Sequence, residues 1–369
     1  MMDFTFTDDQ RQLRDALRGY LARNNGFSGR TASARSALGW NESLWRGLAD
    51  DLGILGVLVA DAAGGAGGDA VDMMVVMEEL GANLLVEPYL ETAVIGASAL
   101  GAAGGREAEL KAIASGSMRV AFAWAEAETR FDRMPYDSIA SRTATGWRLD
   151  GAKAVVIAAP IATHFLVTAR AEDGPALFLV KADTAGISLT AFPTIDGRRA
   201  ADMSFDAVAI PERALVARGA EAIERLCDVA TAMLGAEALG VMRVMLDDTI
   251  AFTRERRQFG QAIATFQVLQ HRMVDMYMQL ELATSAVYRA VLSLDAAPAE
   301  RARAVSAMKV TVAGACRFIG QNAIQLHGGM GMTDEVAVTH YFRRATVIES
   351  EFGSADWHRR RFASLSRAA

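Results

Sequence analysis

Between Phe266 and Val287 the chain keeps a strict apolar rhythm. Phe266, Leu269, Met273, Met276, Leu280, Ala283 and Val287 recur at spacings of 3, 4, 3, 4, 3 and 4. A helix of about 3.6 residues per turn is the regular structure that lines such positions up on one face. A stripe sustained this long needs cover from other helices, so it predicts a bundle. Its methionines are read as core filler rather than cofactor ligands.

The same period divides the rest of the chain. Residues 1–117 carry helical spacings, and Thr7 with Gln10 has the form of a capping box before the first helix. From 118 to 216 the text turns strand-like, over 119–124, 147–149, 154–158, 165–168, 177–180, 187–191 and 203–210. Asp150-Gly151 between two of these segments reads as a hairpin turn. The connections are short and hold no crossover helix. That predicts an antiparallel sandwich or barrel rather than a nucleotide-binding βαβ sheet. The expected fold is α+β: an N-terminal α-helical domain over 1–117, a central antiparallel β domain over 118–216, and a C-terminal four-helix bundle over 217–369 that offers the oligomer surface.

Composition narrows the function classes. A net charge of -6, with only short basic clusters, argues against nucleic acid. Cys227 and Cys316 lie far apart in helical text and read as buried apolar residues, which fits a reducing cytoplasm. The opening, acidic and then amphipathic, lacks a signal-peptide core, and no run of about 18 apolar residues predicts a membrane span. The glycine-rich stretches at 64–68 and 101–105 read as turns. The first lacks the Lys-Ser/Thr that follows a phosphate cradle. No His/Cys/Asp/Glu cluster has metal-ligand spacing.

Two segments are specific. One is Arg256-Arg257-Gln258-Phe259-Gly260, followed by Ile263, Phe266-Gln267 and His271. The other is Gln325-Leu326-His327-Gly328-Gly329-Met330-Gly331, followed by Glu335, Tyr341 and Arg343. Together they resemble the C-terminal domain of acyl-CoA dehydrogenases. The resemblance runs on through the opening helix, the central LDGAK and the closing helices. The text from Trp45 to Leu90 is similar to the pimeloyl-CoA dehydrogenase small-subunit branch. The resemblance implies FAD as cofactor, an acyl-CoA thioester as substrate and an electron-transfer flavoprotein as acceptor. It assigns cofactor contact to Arg256, Gln258, Phe259, Gln267, Gln325, Gly328, Gly329 and Ser354. The chemistry suits this: an arginine offers a two-pronged donor to a diphosphate, and glycines let backbone approach a ligand closely. In the family these groups reach FAD held mainly by a neighbouring subunit. His327 reads as a structural hydrogen-bonder.

The chain also departs from the family. The family base is a glutamate just before a Gly-Ser/Thr pair; here the pair is Gly353-Ser354 and Phe352 precedes it. The alternative base position, on the helix before Arg256, falls on Ala230. Glu237 lies within an apolar stripe of Leu226, Ala230, Met233, Gly240, Val241 and Val244. Burial there is expected to raise its pKa, so it is the candidate displaced base, with a structural role as the other reading. Val155 and Ile157 stand where the family places a Trp and a Thr over the flavin ring, and Ala123–Ala127 replaces its Thr-Glu-Pro loop. Groups serving a flavin in this subunit are lost, while groups serving a neighbour's FAD are kept. The expected assembly is therefore a heterotetramer with a larger, complete acyl-CoA dehydrogenase subunit. The alternatives are a homotetrameric dehydrogenase using Glu237, and a flavin- or CoA-ester-binding protein, oxidase or monooxygenase of the same fold.

Overall fold

The structure is a computed structural model and describes residues 6–367. The reading of the first residues as free of a signal peptide rests in part on 1–5, outside the described residues. Helices come first: α1 (Asp8–Asn24), α2 (Phe27–Arg35), α3 (Glu42–Asp50), α4 (Ala70–Ala82), a π-helical turn over Leu90–Gly96 running into α5 (Ala97–Ala103), and α6 (Glu107–Ala114). Strands follow: β1 (Val120–Ala123), β2 (Ile139–Thr143), β3 (Gly146–Ile157), β4 (His164–Ala171), β5 (Gly174–Lys181), β6 (Ile187–Pro193), β7 (Arg199–Pro211) and β8 (Leu215–Arg218). Helices then return as α7 (Ala220–Glu255), the small hairpin β9 (Arg257–Gln258) and β10 (Gln261–Ala262), α8 (Gln267–Leu292), α9 (Pro298–His327), α10 (Ala337–Ser350) and α11 (Ala355–Arg367).

The chain forms two compact units. One takes the described residues up to Arg30, Met74–Leu85 and those from Thr231 onward; the other takes Thr31–Met73 and Val86–Ala230.

The second unit is built on the sheet. Its strands run in the order β6-β7-β3-β2-β4-β5-β8, with β1 added beside β4. Trp147, Phe165, Phe178 and Phe205 fill its core, Trp147 meeting Phe178 edge to face at 5.3 Å. The sheet is mixed, which corrects the antiparallel expectation: β1 and β2 each pair parallel with β4. A parallel pair needs a long connection, and here intervening strands supply it, so no crossover helix was there to be seen. Asp150-Gly151 is likewise no turn. It lies inside β3 at a register shift against β7, where Gly151 takes φ +135° and Asp150 Oδ1 accepts the Ala207 N–H. The real turn joins β2 to β3 at Ala144-Thr145. Near residue 64 the backbone N–H groups of Gly65, Ala66, Gly67 and Gly68 all donate to protein carbonyls, so no phosphate cradle is left there.

The first unit is a helical assembly. Met276, Leu280, Ala283 and Val287 of the apolar rhythm are buried along α8. Thr7 and Gln10 form the capping box at α1, at 3.1 and 3.2 Å. Helices α4 and α7 meet backbone to backbone: a Cβ at Gly81 would overlap the Glu237 carbonyl, and one at Gly240 would overlap that of Glu78. Helix α7 is also long and apolar enough to span a membrane, contrary to the sequence expectation, but 89% of its most apolar window is buried inside the protein. That is the condition of a core helix.

Candidate functional site

The two specific motifs end up at neighbouring helix ends. Helix α7 stops at Glu255 and the chain turns back through β9 and β10. Phe259 and Gly260 carry the turn at φ +53° and +79°, the two positive values a type I′ hairpin requires. The hairpin is closed by Gln258 pairing with Gln261, and by the Ile263 N–H donating to the Arg256 carbonyl at 2.9 Å. Phe259 is 90% exposed, its ring nearly perpendicular to that of Phe266 with centroids 6.0 Å apart.

Helix α9 stops one residue before Gly328, which takes φ +59° and ψ -138°, a conformation that favours glycine. His327 is buried; its Nδ1 donates to the Ala323 carbonyl at 2.8 Å. Its ring stacks on Phe252 of α7 with centroids 4.4 Å apart and planes 25° apart. Phe252 lies one turn before Arg256, and His327 directly precedes Gly328. This stack therefore joins the arginine segment to the glycine segment, which 71 intervening positions separate in sequence.

The surface so formed is open and cationic. Arg254, Arg256 and Arg257 are exposed, as are Gln258, Gln325, Gly328 and Gly329. A Cβ built at Gly328, Gly329 or Gly260 meets nothing within 4 Å. Free space over a backbone bend beside planar cations is what a diphosphate needs. The donor set thus fits the diphosphate end of FAD. Gln267, also exposed, opens α8, while Ser354 serves α11: its Oγ accepts the Trp357 N–H at 3.3 Å.

At the two positions that the resemblance gives to the catalytic base stand Phe352 and Ala230, neither of them a carboxylate. Phe352 is buried at φ +57°, and its carbonyl accepts from His358 Nε2 at 3.1 Å. Its side chain has nothing that takes a proton. Glu237 is buried on α7, as its spacing foretold, but the apolar stripe concealed a cation from α10. Arg344 Nε and Nη2 hold the two Glu237 oxygens at 2.6 and 2.9 Å, and Nη1 reaches Glu351 at 3.0 Å. A carboxylate clamped in this way is an ion-pair anchor before it is a base. Arg344 lies 107 positions from Glu237, out of reach of any spacing along α7.

In the sheet unit, Val155 sits in a β-bulge at φ +52° and is 55% exposed. A β-branched residue in the left-handed region is a genuine outlier, of the sort that clusters at functional surfaces. It offers neither aromatic face nor hydroxyl. Below it, Lys153 is buried against Glu126 at 2.7 Å and Thr168 at 3.0 Å, and Glu126 also receives the N–H groups of Tyr136, Asp137 and Ser138. Neither the Lys153–Glu126 pair nor Arg344 stands out in the sequence, because a buried cation leaves no local pattern.

Comparison with known proteins agrees with the order of regions. The acyl-CoA dehydrogenase N-terminal, middle and C-terminal domain models match residues 7–116, 121–208 and 217–365. The chain belongs to the acyl-CoA dehydrogenase superfamily. A variant of the Tcur3481-Tcur3483 steroid ACAD is 31% identical, with 98% of each chain covered and a TM-score of 0.91. The ChsE4-ChsE5 complex from Mycobacterium tuberculosis is 26% identical over the whole of both chains, with a TM-score of 0.93. Acyl-CoA dehydrogenase IpdE2 of the same organism is 28% identical, covering 92% of this chain and 91% of its own. The FAD complex of PigA shares the fold, with a TM-score of 0.90 at 22% identity.

Proposed function

We propose that this chain is the smaller subunit of a mixed acyl-CoA dehydrogenase, acting in the α,β-dehydrogenation of an acyl-CoA thioester. It lends Arg256, Gln258, Phe259, Gln267, Gln325, Gly328 and Gly329 to FAD seated mainly in a larger, catalytically complete partner. The observation that carries this is the Phe252–His327 stack, which assembles an exposed cationic clasp in a chain whose usual base position is a buried phenylalanine. Bound FAD supplies the acceptor for the substrate's β-hydride. This chain's own residues bind and orient the diphosphate, and the partner supplies the carboxylate that takes the α-proton. Electrons then leave to an electron-transfer flavoprotein. The assembly is a cytoplasmic heterotetramer in this reading.

The steroid ACAD and the two-component ChsE4-ChsE5 complex support a heteromer, and with it a bulky, ring-bearing acyl-CoA in preference to a dicarboxyl-CoA ester. Glu237 is assigned the structural role that its clamp by Arg344 supports. The test is purification of the chain alone and with a co-expressed homologue, followed by flavin absorbance and dye-coupled turnover. Weak flavin and no turnover alone, with both restored in the mixture, is the expected result. Stoichiometric FAD and full turnover in the lone chain would refute the proposal and favour a homotetramer.

A further inference from the structure

The exposed glycines of the clasp need support from behind, and α10 provides it. Thr339 Oγ1 donates to the Gly331 carbonyl at 2.8 Å. His340 Nε2 lies 3.1 Å from the Asp334 carbonyl, and Arg343 holds the Asp334 carboxylate at 2.6 Å. The other ring nitrogen of His340, Nδ1, lies 2.9 Å from Nη1 of Arg30. A guanidinium can only donate, so Nδ1 accepts and the proton sits on Nε2, which donates to Asp334. One neutral tautomer satisfies both bonds, and the imidazolium cannot.

Arg30 is well fixed. It is 4% exposed, and its Nε also donates to the Leu84 carbonyl at 3.4 Å. His340 is 7% exposed, with the Phe27 ring edge-on at 5.1 Å. The charged groups that face the imidazole are Arg30 from α2, Arg343 from its own helix and Asp334 from the loop before it. Two of the three are cations, so a proton gained at Nδ1 meets repulsion and costs the Arg30 bond.

We propose that His340 is a pH-sensitive positioning residue that holds residues 328–334 in the clasp conformation while neutral and releases them when protonated. The event is transfer of one proton from solvent to Nδ1, with no other species consumed. The gating of FAD rests on the function proposed above; the loosening of 328–334 does not. Burial, reinforced by Arg30 and Arg343, keeps the imidazole below its ordinary value. A group depressed in the folded state contributes stability above its unfolded value of about 6.5, and that contribution is lost as the pH falls through the folded value.

The test is amide exchange of a peptide spanning 328–336 in the purified full-length chain between pH 7.5 and 5, corrected for intrinsic exchange, for wild type, His340→Gln and Thr339→Val. A glutamine can accept from Arg30 and donate to Asp334 but does not titrate. Wild type is expected to lose protection on acidification, by up to about tenfold per pH unit between the ordinary value of about 6.5 and the lower folded-state value, and to level off below it. His340→Gln should stay protected throughout, and Thr339→Val should be less protected at every pH with the wild-type pH profile superimposed. Flat protection in wild type, or the same acid loss in His340→Gln, overturns the proposal. FAD added as a probe separates the two readings. If 328–336 loosens with acid but FAD binding does not follow, the loosening stands and the clasp reading fails.

Discussion

Replacing Glu237 by glutamine separates an anchor from a base. In the native chain both carboxylate oxygens face Arg344, at 2.6 and 2.9 Å, and both side chains are nearly out of solvent. The amide keeps one acceptor but turns an N–H toward the guanidinium. Breaking a buried pair by removing one partner costs about 3–5 kcal/mol; because Glu351 remains on Arg344 at 3.0 Å, the lower end, about 3 kcal/mol, applies. With an unfolding entropy of about 2.1 cal/mol/K per residue, a chain of 369 residues loses roughly 4 °C in Tm. Circular-dichroism melts of the chain measure this, and turnover of the proposed mixed enzyme below the melt is measured alongside. Turnover should remain near wild type once the lower stability is allowed for. A triple Glu237→Leu, Arg344→Met, Glu351→Gln variant should recover most of the stability, because removing every charge of a buried network is close to neutral, whereas leaving Glu351 ionised would strand it. An unchanged Tm with turnover abolished would refute the anchor and restore Glu237 as the base.

Other outcomes follow from the same geometry. Arg256→Ala should leave the fold and melt unchanged, since the side chain is exposed, while lowering FAD retention in the mixed enzyme by at least about tenfold, the value of one charge-assisted hydrogen-bonded contact; size-exclusion with flavin absorbance reads it. Burial pushes the Glu126 carboxyl up, but Lys153 and the Asp137 and Tyr136 N–H groups outweigh it and hold it at about 2, while burial brings Lys153 down to about 8. The Glu126 contribution is therefore present above its ordinary value of 4.5 and lost between 4.5 and 2, so acid melts of Glu126→Gln should be flatter across that window than those of wild type. Gly81→Ala places a methyl on the Glu237 carbonyl where α4 meets α7, and should destabilise by roughly 1–3 kcal/mol or more, read by urea unfolding.

Features set by near neighbours were legible in the sequence. The helical rhythm of α8, the Thr7–Gln10 capping box and the helix–sheet–helix order depend on periodicities of a few residues, and the apolar stripe on α7 put Glu237 inside the protein for the same reason. Wherever a residue's role depended on a distant partner, the local text was mute or misleading. Asp150-Gly151 forms a turn or a bulge according to which strand lies alongside, and β7 makes it a bulge. Strand β2, mostly polar or exposed, carries little apolar patterning and exists because β3 pairs with it. Parallel pairing of β1 with β4 is a choice of sheet order that strand text does not encode. Arg344 comes to Glu237 from 107 positions away, and Phe252 to His327 from 75. The sequence alone determined which groups the chain owns, and that Phe352 stands before Gly353-Ser354. Tertiary structure decided which of those groups meet, because burial makes a charge depend on its partner and only packing brings that partner within reach.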